Sequence, residues 1–293
     1  MRFSWKKAVL FACAAVLLWC FVGSKHGLEV TNYVLSTPKI IEPIRVVQLS
    51  DLHNQTFGEG NARLVKLVEQ QRPDLILLTG DMLNGDERRT DVAVDLIGKL
   101  VQIAPVYAAQ GNHESANRWV FHTDVAELYR QAGAVWLEKS YEDVTVNGQV
   151  IRLGGILGYC LSEEYLRTGE ARQVEIDYLK DFQDTQLFTI LMCHFSLCWI
   201  VNDNLEQWDI DCVFAGHTHG GQIRLPVVGG VYAPDVGFFP GRESGLYYSQ
   251  DKERVMVLSR GLGSSGDVPR INNVPRINNV PEIVVVDILP QMK

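Results

Sequence analysis

The stretch Ile44-Arg-Val-Val-Gln-Leu-Ser-Asp-Leu-His53 decides the fold, because an apolar strand leads directly into two side chains that can bind a metal ion. Helical periodicity follows over residues 61–71, and a second apolar strand over residues 74–79 ends at Gly80-Asp81. The alternation of strand and helix then continues to residue 132. This order predicts parallel strands covered by helices.

After residue 132 the pattern changes to short strands. Residues 135–157 are predicted as strands that include an Asn147-Gly148 turn, a dipeptide typical of two-residue hairpins. Further apolar strands are expected at residues 187–192, 211–215, 222–225, 254–258 and 283–288. Together the patterns predict an α/β fold, a four-layer αββα sandwich of two mixed β-sheets flanked by helices. One domain over residues 44–290 accounts for them, preceded by a linker or edge strand over residues 25–43.

Composition and charge exclude several classes of protein. Apolar residues make up 46% of the 293 residues and charged residues 21%, which excludes disorder or a coiled coil over the whole chain. The net charge is −8, and because residues 1–24 contain three basic and no acidic side chains, the remainder carries −11. A net negative charge of this size argues against a surface that binds nucleic acid. Any phosphate chemistry must take its positive charge from elsewhere, and bound metal is the obvious source.

The N-terminal segment, residues 1–24, has the composition of a signal anchor that forms a membrane helix. Arg2, Lys6 and Lys7 precede the 17 uncharged residues 8–24, near the lower limit for a helix that crosses a bilayer. A cleaved secretory signal has the same arrangement and stays an alternative. We favour the anchor, because tryptophan and lysine at its ends suit membrane interfaces. The prediction is a single-pass protein of the cell membrane, with the rest of the chain extracytoplasmic.

Five short motifs, which together contain five of the seven histidines, each follow an apolar run. In chain order they are Asp51-Leu-His53, Gly80-Asp81, Gly111-Asn-His-Glu114, His194 and Gly216-His-Thr-His219. Loops just past the carboxyl ends of strands are where α/β sheets bind ligands. The carboxylates, amide and imidazoles suit divalent Mn, Fe or Zn, and differ from the thiolates of a structural zinc site.

Each motif by itself has a simpler explanation. An isolated Asp-x-His is more often a surface pair, Gly-Asp after a strand is usually a turn, and a lone histidine is more often a hydrogen-bonded core residue. Gly216-His-Thr-His-Gly-Gly221 is harder to explain as a structural turn. Because all five occur together, in order and at strand ends, a metal site is the stronger interpretation.

The same motifs in this order resemble the calcineurin-like metallophosphoesterase superfamily, and within it the membrane-anchored bacterial phosphodiesterases. The resemblance extends over residues 29–289, and its most specific matches are Ser50-Asp-Leu-His-Asn54, Pro73-Asp74, Thr79-Gly-Asp81, Gly216-His-Thr-His-Gly-Gly-Gln222 and Pro281-Glu-Ile283.

Two positions depart from that subgroup. Phe195-Ser196 stands where the subgroup often has Arg-Pro, so a substrate contact is expected to differ. The hexapeptide Val268-Pro-Arg-Ile-Asn-Asn273 recurs unchanged as residues 274–279, where the subgroup usually has one Pro-x-Arg copy.

The resemblance implies two divalent transition-metal ions (Mn, Fe or Zn) as cofactors. It implies two sets of ligands that share Asp81 as a bridge: Asp51, His53, Asp81 and His219 for one ion, and Asp81, Asn112, His194 and His217 for the other. Two such ions lie about 3.5–4 Å apart. Their combined charge attracts a phosphate despite the acidic surface.

Other residues near the motifs have expected roles of their own. His113 is not among the ligands, and we predict that it is catalytic, stabilising or protonating the leaving oxygen. Glu114 either orients His113 or caps the following helix, and the sequence does not separate the two. Arg270 or Arg276, one from each hexapeptide copy, is expected to bind a phosphate oxygen of the substrate.

These expectations together predict a dinuclear metal-dependent hydrolase of phosphate esters, a phosphodiesterase rather than a protein phosphatase, that acts at the membrane surface. An alternative is a pyrophosphatase-type hydrolase of a UDP-diacylglucosamine-like glycolipid. A third class, a metal-bound scaffold without catalysis, is disfavoured because every ligand position is filled and His113 is present. The expected partners are a phosphate ester linked to a lipid or a nucleotide and the membrane itself, and the chain is expected to be a monomer.

Overall fold

Two β-sheets pack face to face. Successive side chains of a strand lie on opposite faces of its sheet, and both faces are apolar here, so one face packs on the other sheet and the other face on helices. In the strand Ile44–Leu49, Val46 packs between the two sheets, whereas its neighbour Val47 packs against helices. The structure, a computed structural model, describes residues 11, 20, 22–158, 168, 170–200, 204–234, 236–264 and 276–291.

The described part of the chain contains sixteen strands. In chain order they are β1 (Glu29–Thr37), β2 (Ile44–Leu49), β3 (Leu75–Leu78), β4 (Val106–Ala109), β5 (Val135–Leu137), β6 (Ser140–Val146), β7 (Gln149–Ile156), β8 (Phe188–Phe195), β9 (Cys212–Gly216), β10 (Arg224–Leu225), β11 (Gly229–Gly230), β12 (Tyr232–Ala233), β13 (Gly237–Phe238), β14 (Gly245–Tyr248), β15 (Val255–Leu258) and β16 (Glu282–Pro290).

Both large sheets have six strands and are mixed. The first has the order β1-β16-β2-β3-β4-β5, in which β2 to β5 are parallel and β16 is antiparallel to β2. The second has the order β14-β15-β9-β8-β7-β6, with parallel pairing from β15 to β7 and an antiparallel strand at each edge. Strands β10 to β13 form two small hairpins outside these sheets.

Helices cover the outer faces of the two sheets. They are α1 (Ala62–Gln71), α2 (Asp91–Leu100), α3 (Asn112–Phe121), α4 (Val125–Gln131), α5 (Gln173–Gln183), α6 (Leu197–Ile200) and α7 (Asn204–Gln207). Leu64 of α1, Leu96 of α2 and Tyr129 of α4 pack in the core on the first sheet. Leu179 and Phe182 of α5 pack on the second. The prediction of an α/β fold with mixed sheets is confirmed.

The sequence predicts a helix over residues 123–132 but no separate helix at Asn112–Phe121, where the structure has α3. Its buried side chains are those of Glu114 and Asn117, both polar, whereas Trp119 and Val120 are exposed. The apolar periodicity that identifies a helix is therefore missing from this segment.

The predicted membrane helix over residues 1–24 requires a correction. The structure describes only residues 11, 20 and 22–24 of that segment, and the rest lies outside the described residues. Among the described residues, no helix combines the length and the apolar character needed to cross a bilayer. This contradicts the predicted single-pass location in the cell membrane with an extracytoplasmic domain. The 17 uncharged residues of the segment stand at the lower limit of that length.

Residues 22–26 form the end of a helix that contacts the folded chain. The Ser24 side chain is buried, and its hydroxyl oxygen accepts a hydrogen bond of 2.8 Å from the backbone N–H of Asn279. This end of the segment therefore packs on the second hexapeptide copy.

Candidate metal centre

The five motifs meet at one edge of the two sheets, at the carboxyl ends of the parallel strands β2, β3, β4, β8 and β9. This edge is where α/β folds place ligand sites. Three groups of side chains hold one potential ligand atom of each member within 4.8 Å of the others: Asp51, His53 and His219; His53, Asp81 and His113; and Asp81, His194 and His217. Shared members join the groups into one cluster.

Left-handed backbone turns aim these side chains at one another. Five of the cluster residues have φ between 49° and 73°, namely Asp51, His53, Asp81, His217 and His219. Residues other than glycine rarely adopt this conformation, and each instance costs about 1–3 kcal/mol. Strain of this kind persists where the surroundings impose it, and it concentrates at functional sites.

Gly80 allows the second and third loops to approach each other. Its φ is +92°, and a Cβ atom built there lies 2.7 Å from both the Gly111 Cα atom and the His194 Nδ1 atom. A larger residue would push the Asp81 loop away from His194, so the glycine of the Gly-Asp motif is required by space as well as by conformation.

Three histidines of the cluster direct Nδ1 away from its centre. Nδ1 of His53 lies 3.0 Å from Asn84 Oδ1, that of His194 lies 2.7 Å from the Thr79 carbonyl oxygen, and that of His219 lies 3.3 Å from the Gly263 carbonyl oxygen. All three partners are acceptors, so Nδ1 carries the proton and donates. This leaves Nε2 of each ring to face the carboxylates, in the arrangement that metal-binding histidines adopt.

His113 has the opposite arrangement. Its Nδ1 accepts a hydrogen bond of 2.9 Å from the backbone N–H of Gly85. The neutral ring must therefore carry its proton on Nε2, which lies 4.0 Å from Asp81 Oδ2. His113 thus presents a proton donor, rather than a lone pair, to the cluster.

Asp81 is central to the cluster. Its Oδ2 lies 3.1 Å from His194 Nε2 and 3.8 Å from His53 Nε2, and its Oδ1 accepts the backbone N–H of His113 at 2.8 Å. Burial by itself raises the pKa of this carboxyl, but the charges of His194 and His113 outweigh burial and hold the pKa well below its usual range. Asp81 is therefore ionised at neutral pH, as a bridging ligand must be.

His194 and Asn112 meet on the other side of Asp81. The His194 Nε2 atom lies 3.1 Å from the Asn112 amide oxygen. Burial lowers the pKa of His194, but the nearby Asp81 carboxylate outweighs burial and raises that pKa to about 10. Without metal, a proton on His194 balances the Asp81 charge, and a metal ion must displace this proton to bind.

His53 and His219 are neutral. Burial, followed by the neighbouring His113 for His53 and Arg276 for His219, holds the pKa of each imidazole well below its usual value. Neutral imidazole is the form that binds metal. Asp51 lies beside them, with Oδ1 3.6 Å from His219 Nε2, and Ser50 Oγ donates to its Oδ2 at 2.6 Å.

Phe195 and Ser196, which depart from the subgroup's usual Arg-Pro, lie beside the cluster. The Phe195 ring meets the His217 ring edge-on, with centroids 4.5 Å apart. Ser196 is buried. Phe195 thus supports the position of His217 by packing.

Arg276, from the second hexapeptide copy, is buried behind His219. Its guanidinium donates to the Gly263 carbonyl oxygen at 2.8 Å and to two oxygens of Asn279 at 3.1 and 3.2 Å. Burial lowers its pKa to about 9. Arg270 and the first copy lie outside the described residues, so substrate binding by either arginine stays a prediction.

Glu114 caps α3 and fixes the Asp81 loop. Its buried carboxylate accepts backbone N–H bonds from Asp81 and Met82 at 2.8 Å and from Gly111 at 2.9 Å, and the Tyr129 hydroxyl donates to it at 3.2 Å. Burial, followed by the charge of Asp81, raises the pKa of Glu114. These bonds favour capping over the alternative that Glu114 orients the His113 ring, whose Nδ1 is engaged by Gly85 instead.

We expect Glu114→Gln to lower the free energy of unfolding by about 3 kcal/mol or more, because its NH₂ group faces buried N–H donors that lose their acceptor. Tyr129→Phe, which removes only the fourth hydrogen bond, should cost about 1–2 kcal/mol. Urea unfolding followed by circular dichroism measures both. Equal losses in the two variants would show that the carboxylate does not organise the loop.

The cluster fits divalent transition-metal ions. It combines two carboxylates, an amide oxygen and imidazoles, which is a donor set for Mn²⁺, Fe²⁺ or Zn²⁺. The buried Nε2 atom of His53 has no hydrogen-bond partner among the residues that the structure describes, a state that costs free energy unless a ligand binds there.

This fold and this cluster define a metal-dependent phosphoesterase. The chain belongs to the calcineurin-like phosphoesterase family, which it matches over residues 44–221. It is 28% identical to the phosphodiesterase YaeI of Escherichia coli, over 76% of this chain and 76% of that protein. It is also 25% identical to an uncharacterized metallophosphoesterase of Aquifex aeolicus, over 84% of this chain and 88% of the relative.

The predictions of the calcineurin-like superfamily, of phosphate-ester hydrolysis and of two metal cofactors are thereby confirmed, whereas the membrane-anchored subgroup and action at the membrane surface are not confirmed. The protein is a hydrolase of phosphate esters, and its cofactors are two divalent metal ions.

Proposed function

We propose that this chain hydrolyses phosphodiesters with one domain, residues 44–290. The proposed ligands are Asp51, His53, Asp81 and His219 for one ion and Asp81, Asn112, His194 and His217 for the other. When bound, the two ions supply Lewis-acid catalysis, which neutralises the phosphate charge and makes a water nucleophilic near neutral pH. His113 holds a proton on Nε2 and donates a hydrogen bond from it to the leaving oxygen, which stabilises the negative charge that develops there.

The observation that carries this proposal is the contrast between His113 and its neighbours. His53, His194 and His219 donate Nδ1–H outward, whereas His113 accepts at Nδ1 from Gly85. In the form that binds metal, His53, His194 and His219 thus direct a lone pair on Nε2 at the cluster, whereas His113 directs an N–H at it. A phosphoester hydrolase uses both, because the negative charge that develops on the leaving oxygen is stabilised by a hydrogen-bond donor that is not itself a metal ligand.

Charge supports a diester over a monoester. The chain carries a net charge of −8. A phosphodiester has one negative charge at neutral pH, whereas a monoester carries nearly two, so an acidic surface repels the diester less. The relative YaeI is named a phosphodiesterase, which agrees with this choice.

Apolar side chains beside the centre favour a lipid over a nucleotide as the linked group. The hairpins β10 to β13 follow the His219–Gly221 turn, and the backbone N–H of Val231 donates to the Gly221 carbonyl oxygen at 3.1 Å. Phe238, Phe239 and Val227 on these hairpins are exposed. Large apolar side chains that are exposed near a ligand site can contact an apolar part of the ligand. The proposal includes a monomeric chain.

The purified full chain, loaded with Mn²⁺, tests the proposal on bis(p-nitrophenyl) phosphate and on p-nitrophenyl phosphate. We expect metal-dependent turnover with the higher kcat/KM on the diester. Glycerophosphodiesters with and without an acyl chain should differ in KM, the acylated one having the lower value. A higher kcat/KM on the monoester would contradict the diester assignment.

A further inference from the structure

Asn84 lies three residues after Asp81 and is buried beside the metal cluster. Its side chain stands between His53 and Glu87. Its Oδ1 is 3.0 Å from His53 Nδ1, and its Nδ2 is 3.3 Å from the His53 carbonyl oxygen and 3.0 Å from Glu87 Oε1. Both ends of the Asn84 amide therefore have hydrogen-bond partners: the oxygen end has an imidazole nitrogen, and the nitrogen end has two oxygen atoms.

The partners determine which way the amide faces. The His53 carbonyl oxygen and the Glu87 carboxylate are acceptors only, so the NH₂ end of Asn84 must face them. In the flipped orientation, the amide oxygen would face two acceptors and both hydrogen bonds would be lost. The oxygen consequently faces His53 Nδ1, which can only donate to it, so the His53 proton is held on Nδ1 and the lone pair stays on Nε2.

The neighbouring side chains hold Asn84 in place. Glu87 accepts from Asn84 through Oε1 and from Asn54 Nδ2 through Oε2 at 3.1 Å, so it joins the loop after β2 to the loop after β3. Asn117 of α3 donates to the backbone carbonyl oxygens of Asn84 at 3.1 Å and Glu87 at 2.6 Å. The loop after β2, the loop after β3 and helix α3, which carries His113, are thus joined by hydrogen bonds around Asn84.

We infer that Asn84 is a positioning residue, which selects the metal-binding tautomer of His53 and, with Glu87 as its anchor, fixes the direction of the His53 Nε2 atom. This rests on the proposed function, in which His53 is a ligand of one ion only. Partners of this kind typically change metal affinity by about 10–100-fold when they are lost. The effect should fall on the ion that His53 binds and leave the other ion in place.

The test is Mn²⁺ binding to the full chain, measured by the electron paramagnetic resonance of free Mn²⁺ during titration. Wild type should bind two ions, and a wild type that binds none refutes the proposed metal centre itself. Asn84→Leu keeps the size of the side chain but removes its acceptor, so we expect one of the two dissociation constants to rise about 10–100-fold. Two unchanged constants, or an equal rise in both, would overturn the inference.

A paired swap separates positioning from packing. In the double variant Asn84→Asp, Glu87→Gln, the acceptor for His53 Nδ1 is kept, and the amide introduced at position 87 can donate to the carboxylate introduced at position 84, whereas the 3.3 Å bond to the His53 carbonyl oxygen is lost. We expect this variant to recover most of the affinity that Asn84→Leu loses, although it changes two buried polar groups. Failure of the swap to restore the weakened constant, in a variant whose circular dichroism matches wild type, would count against the inference.

A double-mutant comparison gives an independent readout. If Asn84 acts through His53, adding Asn84→Leu to His53→Ala should change neither remaining constant further. Additive losses would show that Asn84 has a general structural role and would refute the inference.

Discussion

Asp81→Ala should lose both metal ions and lower turnover by about 10³-fold or more, since metal ions contribute several kcal/mol to transition-state stabilisation. The reason is geometric. Asp81 Oδ2 lies 3.1 Å from His194 Nε2 and 3.8 Å from His53 Nε2, and these histidines belong to the two proposed ligand sets. Removal of this carboxylate therefore deprives both ions of a ligand at once. Metal analysis after Mn²⁺ reconstitution, together with diesterase assays, measures the loss.

Asp86→Ala is the matched control for this change. Asp86 lies in the same loop, five residues further on, and is exposed. We expect that variant to keep two ions and wild-type turnover, which separates loss of the bridging carboxylate from a general loss of acidic charge. Retention of two Mn²⁺ ions by Asp81→Ala would show that Asp81 does not bridge.

The sheets and the meeting of the motifs could be predicted because both depend on apolar strands. Alternation such as that of Val46 and Val47 is visible in the sequence, and it specifies which faces are buried. Once the strands are parallel, side chains just past their ends must share an edge, whatever the loops between them do. Asp51, Asp81 and His194 came together for this reason.

The hydrogen bonds behind the ligands could not be predicted in the same way. Asn84 and Glu87 are ordinary loop residues in the sequence, and their contacts with His53 and Asn54 depend on left-handed turns at His53 and Asp81. Asn and Glu in a loop are usually exposed, so composition gives no signal here. The best indication in the sequence was the short distance along the chain from Asp81 to Asn84 and Glu87, because residues that follow Asp81 closely must lie near the site.

The tautomers of the histidines also could not be predicted from the sequence. Whether an imidazole donates or accepts at Nδ1 depends on the atom opposite, which is a backbone N–H for His113 and a carbonyl oxygen for His194. Chain order shows that His113 follows Asn112, but only the approach of Gly85 shows which nitrogen carries its proton.

His113→Ala should keep both metal ions and slow turnover by about 10²–10³-fold, the usual contribution of one hydrogen-bond donor to a developing oxyanion. Its Nδ1 accepts from Gly85, so Nε2 presents the proton to the cluster. The loss should be larger for a diester with an alkyl leaving group than for the p-nitrophenyl diester, because the leaving oxygen of a poorer leaving group depends more on a hydrogen bond that stabilises its negative charge. Metal content and kcat/KM on the two diesters measure these effects.

His122→Asn provides the matched control, since His122 lies at the end of the same helix, is exposed and has a left-handed φ of 57°, which asparagine tolerates. We expect that variant to keep wild-type turnover on both diesters. Loss of a metal ion in His113→Ala would make His113 a ligand instead of a hydrogen-bond donor to the leaving oxygen. Equal rate losses on the two diesters would show that His113 only positions the phosphate, because an effect on binding geometry is independent of the charge on the leaving oxygen.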